Sequence, residues 1–136
     1  MMQLDHRLAQ SSEFIADLTL CQVRLSHNAA FPWLILIPKI DDIIEIINLS
    51  RPDQHQLMDE IAQISKIMQD LFAPNKINVA TLGNVVPQLH IHVIARYHTD
   101  PVWPNPVWNT ISQEYFELDL QARVELIRQY IQFSID

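Results

Sequence analysis

The whole chain of 136 residues contains one glycine, Gly83, and this scarcity restricts the folds that it can adopt. The phosphate-binding loops of P-loop and Rossmann proteins each need two or more glycines at fixed spacings, because the backbone must approach a phosphate closely. One glycine cannot supply either motif, so both classes are excluded. Turns that need a left-handed backbone must use asparagine or aspartate, which tolerate it best after glycine.

The composition is that of one folded domain. Hydrophobic residues make up 49% of the chain and charged residues 18%, which provides material for a core and gives no sign of disorder. We therefore predict a single domain over residues 1–136. The formal net charge of −7 argues against binding to a nucleic acid backbone, which needs a basic face. A pocket for a small phosphorylated ligand is still compatible with that charge.

The sequence contains no signal for export or membrane insertion. The N-terminal stretch MMQLDHRLAQ carries charges and no long apolar run, unlike a signal peptide. No stretch approaches the roughly 20 apolar residues that a membrane span needs. We expect a cytoplasmic protein without a membrane partner. Cys21 is the single cysteine, which excludes an internal disulfide, and its apolar neighbours predict a buried structural thiol.

The hydrophobic pattern predicts paired strands and two long helices. Ser50 can cap a helix, Pro52 suits its first turn and Asp53 favours its N-terminal dipole. The apolar residues that follow step by three and four, which predicts an amphipathic helix of about twenty residues. A last helix is predicted over residues 119–133. The predicted strands are residues 19–25, 33–37, 76–82 and 89–95.

Three segments are less regular. The apolar residues of the first eighteen positions suggest short helical turns, and residues 40–49 fit either a strand or a helical turn. Residues 97–109 carry three prolines and two tryptophans, so they form a loop whose tryptophans can pack, stack on a base or cover an interface. Hairpin pairs with segregated helices predict an α+β fold, an antiparallel sheet meander with one long central helix and a C-terminal helix.

One predicted strand concentrates polar side chains on a single face. In PQLHIHVIAR, alternation places residues 89, 91, 93 and 95, all apolar, towards the core. The other face holds four polar side chains and one isoleucine, which are Gln88, His90, His92, Ile94 and Arg96. Pro87 suits the first strand position, where a ladder N–H can be missing.

Three interpretations of this polar face are open. It can be an ordinary half-exposed strand face. Two histidines two apart can also chelate a metal, as in cupin barrels, but such a site needs further ligands, and the Val-Ile-Ala-Arg that follows offers none. A neutral imidazole can instead attack phosphorus, provided that its tautomer is fixed and other groups donate to the phosphoryl oxygens.

The stretch VVPQLHIHVIAR resembles the signature of the histidine triad family of nucleotide hydrolases and transferases, His-φ-His-φ-His-φ-φ with φ apolar. The overlay places Gln88, His90 and His92 on the three histidines. The hairpin ending in WLILIPK and the helix after LSRPD are also similar to family segments, so the resemblance covers residues 19–96. Beyond it, DPVWPNPVW resembles a bacterial subgroup that also carries the glutamine.

The resemblance implies roles for the motif residues. The middle histidine of the family attacks the α-phosphate and forms a nucleotidyl-histidine, a role that falls on His90. The last histidine contacts the phosphate, which implies the same for His92. Gln88 replaces the histidine that helps to orient the catalytic ring, and an amide cannot shuttle a proton near neutral pH.

Three other residues are candidates for binding the nucleotide. Asn84 lies where family members carry a phosphate-contacting polar side chain. Arg96 has a charge and a strand face that suit phosphate, although an ion pair with one of the sixteen acids is an equal alternative. Asn28 lies near the ribose contact of the family, although ungapped spacing points at Leu25 or Ser26 instead.

The resemblance also implies a reaction and an assembly. We expect transfer of a nucleoside monophosphate from a phosphoanhydride or phosphoramidate, such as a dinucleoside polyphosphate, by a homodimer. The protein requires no metal of its own, although a divalent metal can accompany the substrate. The alternative function is a nucleotide-binding module without turnover, which the glutamine at position 88 motivates. A metal-binding strand is the third option.

Overall fold

The computed structural model describes residues 2–135 of the chain. The helices are α1 His6–Gln10, α2 Arg51–Phe72 and α3 Glu117–Ile135, with a short 3₁₀ turn at Ile46–Asn48. The strands are β1 Ser12–Asp17, β2 Cys21–Ser26, β3 Trp33–Pro38, β4 Lys76–Ala80 and β5 Ile91–Arg96. All pairings are antiparallel, in the order β1-β2-β3-β5-β4. The predicted α+β fold is confirmed.

The long helix begins and ends where the sequence predicts. The Ser50 side chain accepts a hydrogen bond from the backbone N–H of Asp53 at 3.2 Å, which caps the first turn. Ala73 follows the helix in a left-handed conformation with φ of 45°, and its N–H bonds to the carbonyl of Gln69. This backbone geometry ends α2 without a glycine.

The first strand was not predicted. Phe14 and Ile15 lie in β1, so the prediction of helical turns is wrong beyond α1, the one helix in this region of the described chain. The pairing of β1 with β2 shifts its register between Phe14 and Ala16. A β-bulge of this kind interrupts the period of two on which recognition of a strand depends.

The order of the strands also departs from a simple meander. The helix α2 carries the chain across the sheet, and β5 rather than β4 then pairs with β3. As a result Ile35 lies opposite His92, and Trp33 lies opposite Ile94. Residues 40–49 resolve into turns and the 3₁₀ helix rather than a strand.

The two faces of the sheet are covered differently. We call the side that packs against α2 and α3 the helix face; its strand residues include Leu34, Leu36, Ile91 and Val93. On the opposite face, the N-terminal segment, residues 2–10, covers one end and the Trp/Pro loop, residues 97–109, covers the other. Trp33 packs with both of these small clusters, so the covers meet near the middle of the sheet.

A buried carboxylate joins α2 to the start of β2. Glu60 is 1% exposed, and its two oxygens accept the backbone N–H groups of Leu20 and Cys21, each at 2.8 Å. Burial, with the charge of Glu60, raises the pKa of the Cys21 thiol, and the predicted buried thiol is confirmed. Within residues 2–135 no helix is long and apolar enough to cross a membrane.

Candidate active site

Two histidines lie side by side on the side of the sheet opposite the helix face. His92 is the second residue of β5, and His90 immediately precedes the strand. Their ring centroids are 4.9 Å apart in an edge-to-face arrangement, and their exposed fractions are 6% and 7%. The interpretation of a half-exposed strand face is therefore wrong, because both imidazoles are buried.

The proton of His90 is assigned by a main-chain oxygen. The Nδ1 atom of His90 lies 2.7 Å from the carbonyl oxygen of Gln88. A carbonyl oxygen can only accept, so Nδ1 must carry the proton. In the neutral ring, Nε2 then has a free lone pair, which is the form that a nucleophile requires.

The backbone on both sides of that ring is also fixed. The Thr81 hydroxyl donates to the carbonyl of His90 at 2.7 Å. The N–H of Leu89 donates to the carbonyl of Ile43 at 2.9 Å. These bonds hold the last residues before β5 against two separate loops, so the imidazole projects from a fixed stretch of chain.

His92 has the reverse assignment. The indole Nε1–H of Trp33 donates to Nδ1 of His92 at 2.9 Å, and an indole can only donate. Nδ1 therefore accepts, and the neutral ring carries its proton on Nε2. Burial, with a smaller effect from His90, lowers the pKa of His92 to about 4. At neutral pH His92 is an uncharged Nε2–H donor.

The two neighbouring imidazoles therefore present different groups at Nε2, although both belong to histidines. One offers a lone pair on Nε2 and the other offers an N–H on Nε2. A phosphoryl group placed between them can be attacked by the first ring while the second donates to one of its oxygens. Two hydrogen bonds to Nδ1 atoms produce this difference.

Two tryptophans surround His92. The ring centroids of Trp33 and Trp108 lie 5.5 Å and 5.2 Å from that of His92, so Trp108 packs against the site. Trp103 instead contacts His98, at 4.9 Å between centroids. Sequence reasoning missed Trp33, because only the pairing of β3 with β5 brings it to His92.

The comparisons with known proteins agree with this geometry. A family model described as the HIT domain matches residues 7–99. The chain belongs to the histidine triad (HIT) family. A histidine triad protein from Marinobacter aquaeolei VT8 is 38% identical, with a TM-score of 0.93 and 98% of each chain covered. One from Bradyrhizobium japonicum is also 38% identical, with a TM-score of 0.91 and 95% of this chain and 97% of that chain covered. No curated protein matches the chain.

The side chain of Gln88, which the sequence overlay places on the first position of the HIT motif, bonds to the N-terminal segment. Its Oε1 accepts the N–H of Asp5 at 2.7 Å, and its Nε2 donates to the carbonyl of Gln3 at 3.2 Å. The expected contact between this side chain and the His90 ring is not observed. The group that reaches His90 is the main-chain carbonyl of Gln88, which any residue at this position possesses.

Arg96 makes an internal ion pair, the alternative to a phosphate contact that the sequence offered. Its guanidinium is 1% exposed, and Nε and Nη2 bond to the Asp100 carboxylate at 2.8 and 3.1 Å. Nη1 donates to Asn78 of β4 at 3.0 Å. The ion pair holds the pKa of Asp100 at about 2. Two nitrogens thus hold the start of the Trp/Pro loop and the third bonds to β4, so the structure gives no support for the expected phosphate contact.

Asn28 and Asn84 have different environments. The Asn28 side chain donates to the carbonyl of Ile111 at 3.0 Å and accepts the N–H groups of Ala30 and Gln113. It anchors the segment after the Trp/Pro loop, so the structure gives no support for the expected ribose contact. Asn84 is exposed on the loop before β5, and its side chain makes no hydrogen bond within the part of the chain that the structure describes.

The surroundings of the histidines contain few other candidate ligands. Across residues 2–135, no group of three or more His, Cys, Asp or Glu side chains is arranged to hold a metal ion. A cavity of about 780 Å³ opens beside Gln88, between the N-terminal segment and residues 41–44. Neither histidine is among the residues that line this cavity, so it lies next to the pair rather than over it.

Removing the indole donor should change the titration of His92. We expect Trp33→Phe to raise the pKa of His92 from about 4 towards its usual value, because Nδ1 becomes able to take a proton. An NMR titration of the imidazole ring measures the change. Trp103→Phe is the matched control, since Trp103 contacts His98. An unchanged titration in Trp33→Phe would contradict the assignment of the tautomer.

The buried imidazole also predicts how stability depends on pH. As the pH falls from 6.5 towards 4, the unfolded chain binds a proton at position 92 before the folded chain does. Stability should therefore decrease across this range, by up to about 3 kcal/mol. Urea unfolding at several pH values measures the decrease. The decrease should be smaller in His92→Phe and be retained in His55→Phe, which changes an exposed residue of α2. An equal dependence of the unfolding free energy on pH in the two variants would refute the assignment to His92.

Proposed function

We propose that this HIT protein is a nucleotide hydrolase or transferase that works through a nucleotidyl-histidine on His90. The observation that carries the proposal is the opposite tautomers of the two buried imidazoles. Main-chain and indole groups of the protein itself hold the rings in these states. Preorganisation of this kind is what phosphoryl-group chemistry requires of a protein, since catalysis there depends on positioning and electrostatics.

The reaction has two displacements at phosphorus. Nε2 of His90 attacks the α-phosphorus, a P–N bond forms, and the bond to the leaving group breaks with its electron pair going to that group. His92 donates its Nε2–H to a phosphoryl oxygen as negative charge develops. Water, or an acceptor alcohol in a transferase, then attacks the same phosphorus and loses its proton to solvent. The P–N bond breaks with its electron pair returning to Nε2 of His90, and the nucleoside monophosphate is released or transferred.

The supply of protons distinguishes the two classes of substrate. Gln88 cannot become a cation, and His92 is neutral above about pH 4, so neither is a ready acid. A phosphoanhydride leaving group departs as a stabilised anion, whereas the amine of a phosphoramidate needs a proton. The site therefore favours a phosphoanhydride such as a dinucleoside polyphosphate. The chemistry uses no metal ligand from the protein, and a divalent metal can enter with the polyphosphate.

The covalent intermediate provides the direct test. Incubation with a diadenosine polyphosphate, and separately with adenosine phosphoramidate, should release AMP and produce an acid-labile nucleotide adduct on the peptide that contains His90. We expect His90→Ala to eliminate the adduct and lower AMP release by about three orders of magnitude or more. Mass spectrometry of the protein and chromatography of the nucleotides measure both.

The control for this experiment is a histidine outside the site. His55→Ala alters an exposed histidine of α2 and should leave adduct and rate unchanged. Tight binding of the nucleotide without AMP release would favour the nucleotide-binding module, the alternative function that the glutamine at position 88 suggests. An adduct on any residue other than His90 would overturn the assignment of the nucleophile.

We also propose that the protein forms a homodimer. β4 is the last strand of the sheet, so one of its edges has no partner strand within the described residues. Val79 in β4 and Leu82 just after it are each 47% exposed. An edge with exposed apolar side chains suits pairing with a second copy. Light scattering should give twice the chain mass of 15.9 kDa.

A charge on that edge provides the test of the dimer. Val79→Lys should shift the protein towards the single-chain mass. Leu126→Lys is the control, because Leu126 is also 47% exposed but lies on α3, which packs beside β1 at the other edge of the sheet. Equal effects of the two changes would argue against assembly through β4.

A further inference from the structure

The side chain and the main chain of Gln88 contact different parts of the protein. Its carbonyl oxygen lies 2.7 Å from Nδ1 of His90. Its amide group bonds to the main chain of Asp5 and Gln3, which are more than eighty positions away in the sequence. We propose that the N-terminal segment is a positioning element for His90 and acts through Gln88.

A second contact supports the same connection. The Arg7 guanidinium donates to the carbonyl of Val85 at 2.9 Å, and the Asp5 carboxylate holds Arg7 by accepting its backbone N–H and its side chain. Leu4 and Leu8 pack with Val86 and three residues of β3. The N-terminal segment therefore contacts Val85, Val86 and Gln88, in the loop that leads directly into His90.

The loop itself has little structure to hold Gln88 in place. Residues 83–88 form neither helix nor strand, Gly83 adopts a left-handed φ of 74°, and Pro87 has no N–H to donate. Gln88 lines the cavity on one side. The contacts that hold it include the hydrogen bonds between its side chain and the N-terminal segment, the bond from Leu89 to Ile43 and the bond of its own carbonyl to His90.

The consequence concerns the tautomer of His90. If the Gln88 peptide turns, its carbonyl leaves Nδ1 and the neutral ring can carry its proton on either nitrogen. The fraction with the proton on Nε2 has no lone pair there for attack. Gln88 and the N-terminal segment are in this sense positioning groups, since they act through the ring of His90. The kinetic consequence rests on the proposed function, whereas the effect on the tautomer does not.

A proline at position 5 tests the connection selectively. Asp5 has φ of −56°, a value that proline adopts, so Asp5→Pro deletes the N–H that Gln88 accepts without demanding a new φ. Asp5→Ala is the matched control: both changes remove the carboxylate that caps α1 and binds Arg7, and only the proline removes the N–H. Gln88→Leu deletes the other partner of the same bond.

We expect ¹⁵N NMR of the imidazole to show one tautomer of His90 in the native protein. Asp5→Ala reports the effect of losing the Asp5 carboxylate and its hold on Arg7 alone. Mixed tautomers are expected in Asp5→Pro and Gln88→Leu, with a larger fraction protonated on Nε2 than in Asp5→Ala. The rate of adduct formation should fall about tenfold or more in these two variants relative to Asp5→Ala, in kcat more than in KM. The double variant Asp5→Pro/Gln88→Leu should be no slower than the worse single one, because both remove one interaction.

The outcomes separate this inference from the proposed function. A His90 tautomer that is identical in Asp5→Pro, Gln88→Leu and Asp5→Ala overturns the positioning role, even if the enzyme is active. A native protein that forms no adduct overturns the proposed function, while mixed tautomers confined to Asp5→Pro and Gln88→Leu still support the positioning role. Near-ultraviolet circular dichroism checks that each variant is folded, and Gln88→Leu decides the matter if Asp5→Pro does not fold.

Discussion

Two hydrogen bonds, one to Nδ1 of each imidazole, determine the tautomers of His90 and His92. A carbonyl places the proton of His90 on Nδ1, and an indole N–H removes it from Nδ1 of His92. Neither partner can reverse its role, because a carbonyl has no proton to give and an indole nitrogen has no lone pair to offer. Burial then keeps His92 uncharged near neutral pH, with its pKa at about 4. The lone pair on Nε2 of His90 and the N–H on Nε2 of His92 are therefore both set by contacts within the fold.

Two polar side chains that the sequence offered as nucleotide ligands bond instead to the segments that cover the histidines. Arg96 binds Asp100 at the start of the Trp/Pro loop, and Asn28 binds the segment just after that loop. Arg96 is 1% exposed, and an unpaired guanidinium would be costly at such a position. Their bonds hold the loop so that Trp108 packs on His92. A polar residue near a site can thus support the site without contacting its ligand.

Gln88 connects the two histidines to the rest of the chain. Its main-chain carbonyl bonds to Nδ1 of His90, an interaction that does not depend on the side chain at position 88. Its side chain meanwhile binds the N-terminal segment. On the proposed mechanism, the cost of the substitution is a missing proton donor rather than a misplaced nucleophile. This is why leaving groups that depart as stable anions suit the site.

Local patterns in the sequence determined α2, the β2–β3 hairpin, α3 and the face shared by His90 and His92, because each follows from a hydrophobic period or a cap within a few residues. The bulge in β1, the neighbour of β3 and the partners of Arg96 and Asn28 were decided only by the tertiary structure. So were the indole of Trp33 on His92 and the direction of the Gln88 side chain. Each of these depends on residues that are far apart in the chain meeting across the sheet, and neither a period nor a motif contains that information.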